Sequence, residues 1–234
     1  MTHGLSTAEI AKTMTCVMAT RNLQDHFLCV FPFDQFPVAS FLYASSSLNS
    51  VNTPALCTII NTDPSTSPGQ HWVAFFKGPN SDPKEIEFFD SYGQNPLTYG
   101  FHFPTEIRVL SNSFPLQSLS TIVCGHYCIL FLYLRSTNLL HCTLDNVIIK
   151  LHSLARTSIL RDHQVQSFVT KLASACRQRN SQVHSSCPNF LLSNALDLAA
   201  TLVQSHQTSN SYAFRHAYLV EHPDHSSLPI SENL

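Results

Sequence analysis

The stretch HWVAFFKGPNSDPKEIEFFD, residues 71–90, decides how the chain folds. Two runs rich in aromatic and aliphatic residues, His71 to Lys77 and Glu85 to Asp90, flank Gly78-Pro79-Asn80-Ser81-Asp82-Pro83, a turn composition. The pattern predicts a β-hairpin with a loop of about six residues. If Lys77 pairs with Lys84, each step back on one strand matches a step forward on the other, and His71 falls opposite Asp90. Directly opposed residues share a face, with Cβ atoms about 4.5–5.5 Å apart. An Asp at that distance accepts the imidazole N–H, fixes its tautomer and stabilises the imidazolium. A slip of one residue would send the two side chains to opposite faces.

Outward from the hairpin, Ala55 to Asn61 (ALCTIIN) reads as a central strand buried on both faces, and Phe27 to Phe31 and Glu106 to Leu110 read as further strands. Cys124 to Arg135 is a dense apolar run that predicts a buried helix starting near Cys124. Ser6-Thr7-Ala8-Glu9 is a capping box, and Ile10, Met14, Val17 and Met18 follow at helical spacing, so residues 6–20 read as an amphipathic helix. Leu144 to Ala155 and Ile159 to Cys176 read as two more helices, and Pro32 to Pro54 as loop with one helical turn. The expected class is α+β: a mixed, mainly antiparallel sheet packed on the central helix. Residues 1–205 form the expected domain, and the polar, Pro-containing residues 206–234 a mobile tail.

Charged residues make up only 12% of the chain, about half the usual share of roughly 25%, so uncharged polar side chains carry much of its solvation. A net charge of -2 with 13 Lys and Arg spread thinly argues against a strongly basic nucleic-acid surface. It leaves only a local patch of Arg156, Arg161, Lys171, Arg177 and Arg179. The eight cysteines fall short of a disulfide scaffold and read as reduced, intracellular thiols. Neither a secretory leader nor an apolar run long enough for a bilayer is apparent, so no membrane partner is expected.

Thiol chemistry needs a sulfur whose thiolate is stabilised, a nearby imidazole and a group to orient that imidazole. Cys124, in the first turn of its helix, sits near the positive end of the helix dipole and near unpaired N–H groups. Gly125 beside it is read as leaving room for a substrate backbone. Gln117, seven positions before Cys124, has a side-chain amide that could donate to a developing oxyanion together with the Cys124 N–H.

The set His71-Trp72, Asp90 within FFDSYG, and Gln117-x6-Cys124-Gly125 resembles the adenain family, the cysteine endopeptidases of adenoviruses. It is also similar to relatives in Maverick/Polinton-type mobile elements and, more distantly, to the ubiquitin-like-specific (SUMO) proteases. CVFPFDQFP (29–37) and IINTDPSTSPGQHWVAFF (59–76) resemble the mobile-element enzymes in particular. The resemblance spans residues 27–136. It implies a papain-like, adenain-like fold in which Cys124 attacks the scissile carbonyl, His71 is base and then acid, Asp90 orients His71, and Gln117 lines the oxyanion hole. It implies no cofactor and no metal, polypeptide substrates such as capsid or core precursors, and a place in the virion and host-cell nucleus. Adenain commonly carries Glu where this chain has Asp90, whereas Asp is usual in the SUMO-protease relatives. Adenain is activated by DNA and by a viral peptide disulfide-linked between acid and nucleophile. No Cys occurs here between Cys57 and Cys124, which argues against such a tether, and an activating peptide or DNA would have to act through other contacts.

Three other readings compete. A SUMO-like or ubiquitin-like isopeptidase would use the same residues. A non-catalytic packaging or interaction module would keep the fold without the chemistry. A zinc site from Cys124, His126, Cys128, His141 and Cys142 has tolerable Cys spacing, but the apolar run after Cys128 offers no further ligands.

Overall fold

In the computed structural model, which describes residues 4–21, 23, 26–43, 55–79, 82, 84–137 and 143–181, five strands form one sheet in sequence order. They are β1 (Phe27–Pro32), β2 (Leu56–Asn61), β3 (Trp72–Lys77), β4 (Glu85–Phe89) and β5 (Arg108–Ser111). The helices are α1 (Thr7–Ala19), the short α2 (Val38–Tyr43), α3 (Cys124–Thr137), α4 (Leu144–Ser153) and α5 (Ser158–Ser181). The expected tail at 206–234 and the end of the expected domain lie outside the described residues.

The sheet is mixed, but antiparallel pairing does not dominate. β2/β3 and β3/β4 are antiparallel, while β1/β2 and β4/β5 at the two edges are parallel. Long crossovers precede β2 and β5, and a long connection is what parallel pairing requires. β5 begins at Arg108, two residues later than expected, because Pro104 to Ile107 closes a turn before Arg108 N–H reaches the Lys84 carbonyl.

Period-two alternation gives β2, β3 and β4 two different faces. Leu56, Ile60, Val73, Phe75, Ile86 and Phe88 point into an aromatic core closed by Phe36, Phe41 and Phe101, with Phe36 stacked on Phe75 at 5.3 Å. The opposite face receives α3. Phe89 stacks on Phe131 at 4.5 Å, and Arg135 forms a buried bidentate pair with Glu87 while lying over the Phe76 ring. Burial pushes the Glu87 carboxyl up to about 7 despite the Arg135 charge.

The capping box of α1 forms as read: Ser6 Oγ accepts the Glu9 N–H, and the Glu9 carboxylate accepts the Ser6 N–H. α1 packs on β1, α3 and α5. Two cysteines depart from the reduced-thiol expectation, because Cys16 and Cys176 form a disulfide that ties α1 to α5. Their separation of 160 residues hides the pairing in the sequence, and helix packing brings their Cα atoms to 5.9 Å. The basic patch is smaller than expected. Arg161 is buried, and its guanidinium donates to the carbonyls of Leu116, His152 and Ala155.

Candidate active site

His71 and Asp90 stand just past the paired ends of β3 and β4, and the register between these strands differs from the expectation. Ala74 pairs with Phe89, Phe75 with Phe88 and Phe76 with Glu87, so the strands are offset by two residues from the Lys77–Lys84 pairing. The cause is local. Asp82 Oδ1 accepts the Lys84 N–H and Asp82 O accepts the Glu85 N–H, so Lys84 is spent on the turn and the ladder starts later. An offset of two keeps every side chain on its face. His71 and Asp90 become diagonal rather than direct neighbours, and the imidazole still reaches: His71 Nε2–H donates to Asp90 Oδ1 at 2.6 Å.

Asp90 is fully buried and its two oxygens are saturated. Oδ1 accepts from His71 Nε2 and the Tyr92 N–H, and Oδ2 from the Gln94 N–H and the Tyr99 hydroxyl. Four donors match the acceptor capacity of an ionised carboxylate. The Asp90 backbone is held by a side chain: Asn112 Oδ1 accepts its N–H and Asn112 Nδ2 donates to its carbonyl, which continues the β4/β5 ladder one residue past Ser111.

His71 lies beside two tyrosine rings, stacked on Tyr92 at 4.9 Å and tilted against Tyr99 at 5.5 Å. Its Nδ1 is buried and makes no hydrogen bond in the resting structure. Burial pulls the imidazole down, but the bond to Asp90 and then the interactions with the Cys124 thiol pull it up further, to about 9. The ring is therefore cationic at neutral pH.

Cys124 opens α3 and is 6% exposed. The first backbone bond of the helix runs from Tyr127 N–H to Val123 O, so the amides of Cys124, Gly125 and His126 precede it and make the helix terminus a site for negative charge. Gly125 has a different use from the one expected. A Cβ there would come within 3.0 Å of Ile10 Cδ1 and 3.2 Å of Trp72 Cδ1, so the missing side chain lets α1 and Trp72 close behind the thiol. Cys128 is fully buried, donates to the Trp72 carbonyl at 3.3 Å, and is pushed well up by burial.

Gln117 is buried with its amide committed inside the protein. Its Oε1 accepts from Ser91 Oγ at 2.8 Å, and its Nε2 donates to Thr121 O at 2.8 Å and to the Tyr92 hydroxyl at 3.1 Å. The Asp90-Ser91-Tyr92-Gly93 segment is thus used residue by residue. Asp90 holds His71, Ser91 holds Gln117, and Tyr92 covers the imidazole. Gly93 turns the chain at a φ of 69°, where a Cβ would strike the Phe114 backbone at 2.7 Å.

Asp162 of α5 escaped the reading of the sequence. It is fully buried and accepts from Ser118 N–H, Thr121 Oγ and the Tyr127 hydroxyl, which clamps the loop entering α3. Tyr92, Tyr99 and Asn112 were missed as well, although Tyr92 lies two residues from Asp90 in a turn. Among the described residues no cluster of three or more His, Cys, Asp or Glu could hold a metal ion, and His141 and Cys142 of the zinc reading lie outside them.

A thiol at a helix N-terminus, beside a cationic imidazole whose far nitrogen rests on a buried carboxylate, is equipped for nucleophilic acyl transfer. No family model matches the chain. Over 38 residues the chain is 50% identical to a cysteine protease of African swine fever virus, a stretch covering 16% of this chain and 14% of that protein. The similarity in hand is therefore to a viral cysteine protease.

Proposed function

We propose that the chain is a cysteine endopeptidase with Cys124 as nucleophile. The observation that supports it most is the buried His71, fixed on Asp90 through Nε2, with Cys124 acting on the ring. With the Cys124 proton carried by His71, the sulfur adds as a thiolate to the scissile carbonyl carbon, and the C=O π electrons move onto oxygen. As the carbonyl re-forms, the C–N bond breaks and the amine leaves with a proton from His71. A thioester on Cys124 and a neutral imidazole remain. Water, giving its proton to His71, then displaces the sulfur and releases the acid. Asp90 keeps the imidazole oriented through both steps and remains a carboxylate.

The resemblance extends the proposal to substrates that are structural precursors of a virus or mobile element, processed in the virion or the host-cell nucleus. A second reading, cleavage of ubiquitin-like tails, draws on Asp90 standing where adenain commonly has Glu. Cleavage of a ubiquitin-like tail in preference to a capsid-derived peptide would favour it. The test of the main reading is a peptide library digested by wild type and by Cys124→Ala. Cleavage by the wild type alone is expected, and equal cleavage by both refutes the proposal.

A further inference from the structure

The oxyanion that forms when a thiolate adds to a carbonyl needs hydrogen-bond donors aimed at it. Gln117 is poorly placed to be one. Its two Nε2 protons go to Thr121 O at 2.8 Å and to the Tyr92 hydroxyl at 3.1 Å, and its Oε1 is held by Ser91. The loop around it is fastened too. Ser91 O accepts the N–H groups of both Leu116 and Gln117, and Asp162 holds Ser118 and Thr121. Turning the amide outward would break these bonds inside the protein, where a lost partner is costly.

Tyr92 differs in each respect. Its hydroxyl oxygen accepts the Gln117 proton, so its own proton must point elsewhere, and the acceptor it meets among the described residues is Thr121 O at 3.4 Å. That is long beside the usual ~2.7–2.8 Å for O–H···O, and Thr121 O already takes the shorter Gln117 bond. The ring is stacked on His71, and the side chain is only half-buried. Burial, followed by the charges of Cys124 and Asp90, pushes the phenol up, so it keeps its proton at working pH.

We infer that Tyr92 is a catalytic residue: its hydroxyl, oriented by Gln117, donates a hydrogen bond to the oxyanion beside the Cys124 backbone N–H. No proton is transferred. Gln117 is then a positioning residue that acts through Tyr92, and Ser91 fixes Gln117. The inference rests on the endopeptidase reading.

Tyr92→Phe retains the ring on His71 and removes only the hydroxyl. Peptide hydrolysis develops an oxyanion and alkylation by iodoacetamide does not, so the two reactions separate the roles. With the best-cleaved library peptide, kcat is expected to fall about 10²-fold or more, with KM and the Cys124 alkylation rate essentially unchanged. Affinity for a peptide aldehyde, which adds to the thiol to give the same kind of oxygen, should fall in parallel. A Tyr92→Phe enzyme with wild-type kcat overturns the inference. So does a joint fall of kcat and alkylation rate, which would mean the ring or the thiol had moved. A Gln117→Leu enzyme that loses kcat while Tyr92→Phe does not returns the donor role to Gln117. Cleavage by Cys124→Ala equal to wild type, or no cleavage by wild type, defeats the endopeptidase reading itself, which these variant outcomes leave intact.

Discussion

Replacing Asp90 by Asn removes the charge that keeps His71 protonated, and the effect is measurable without any substrate. Burial lowers the imidazole, and Asp90 with Cys124 raises it past its ordinary 6.5 to about 9. A rise of about 2.5 on the pH scale corresponds to about 3 kcal/mol at ~1.4 kcal/mol per unit. Because the folded value lies above the free value, this stabilisation is complete below pH 6.5 and is lost as the pH climbs through about 9. In a chain of this size 1 kcal/mol moves the melting temperature by roughly 2–4 °C. The wild type should therefore lose about 6–12 °C between pH 6.5 and 9.5 through this group alone. In the Asn variant burial has only Cys124 to oppose it, and most of that loss disappears. The assay is thermal unfolding of both proteins at half-unit steps from pH 6 to 10. Glu87, whose shift owes nothing to Asp90, is common to both and cancels in the difference. The variant should be less stable at pH 6.5, with the gap narrowing as pH rises. Parallel curves would refute the His71–Asp90 coupling.

Iodoacetamide should alkylate Cys124 faster than Cys128, since Cys128 is fully buried and its thiol is pushed well up. Peptide mapping at short times reads the order, and equal rates would favour a non-catalytic module. Gly125→Ala forces a methyl against Ile10 and Trp72, so calorimetry should show a loss of about 1–3 kcal/mol. Unchanged stability would mean α1 yields freely behind the thiol. Arg135→Met leaves the Glu87 carboxyl buried without its bidentate partner, at a cost of about 3–5 kcal/mol. Glu87 is already raised to about 7. The penalty should therefore be largest above that pH and shrink as acid neutralises the carboxyl, and urea unfolding at pH 5 and pH 8 checks the sign.

What could be read from the sequence was governed by how local the determining contacts are. The α1 capping box needs only Ser6 and Glu9, and it forms. The start of α3 at Cys124 follows from the apolar run behind it. The hairpin was read with the right parity and the wrong register. Parity is set by the alternation within each strand, whereas register depends on the hydrogen bonds Asp82 makes inside the turn. Gly125 was misread because its neighbours, Leu5, Ile10 and Trp72, come from distant segments. The same holds for the Cys16–Cys176 bond and for Asp162, whose bonds to Ser118 and Thr121 span 44 and 41 residues. No period or motif carries that information. Tyr92 was within reach, since the turn that carries the acid places it against the same imidazole.

The helices farthest apart in sequence converge on the thiol, and this explains how an irregular loop can present a reactive group. Loop 116–121 has no ladder to pair its backbone, and buried amides and carbonyls must find partners. Ser91 O takes the amides of Leu116 and Gln117, Asp162 takes that of Ser118, and Arg161 donates to Leu116 O. Two of these partners, Arg161 and Asp162, belong to α5, which lies beyond the 27–136 stretch that carries the resemblance. α5 is bonded through Cys176 to Cys16 of α1, and α1 presses Ile10 against Gly125. The sheet end therefore orients His71 and Asp90, while α1 and α5 hold the turn that delivers Cys124 to them. Precision at the sulfur depends on helices that contribute none of the proposed reacting groups.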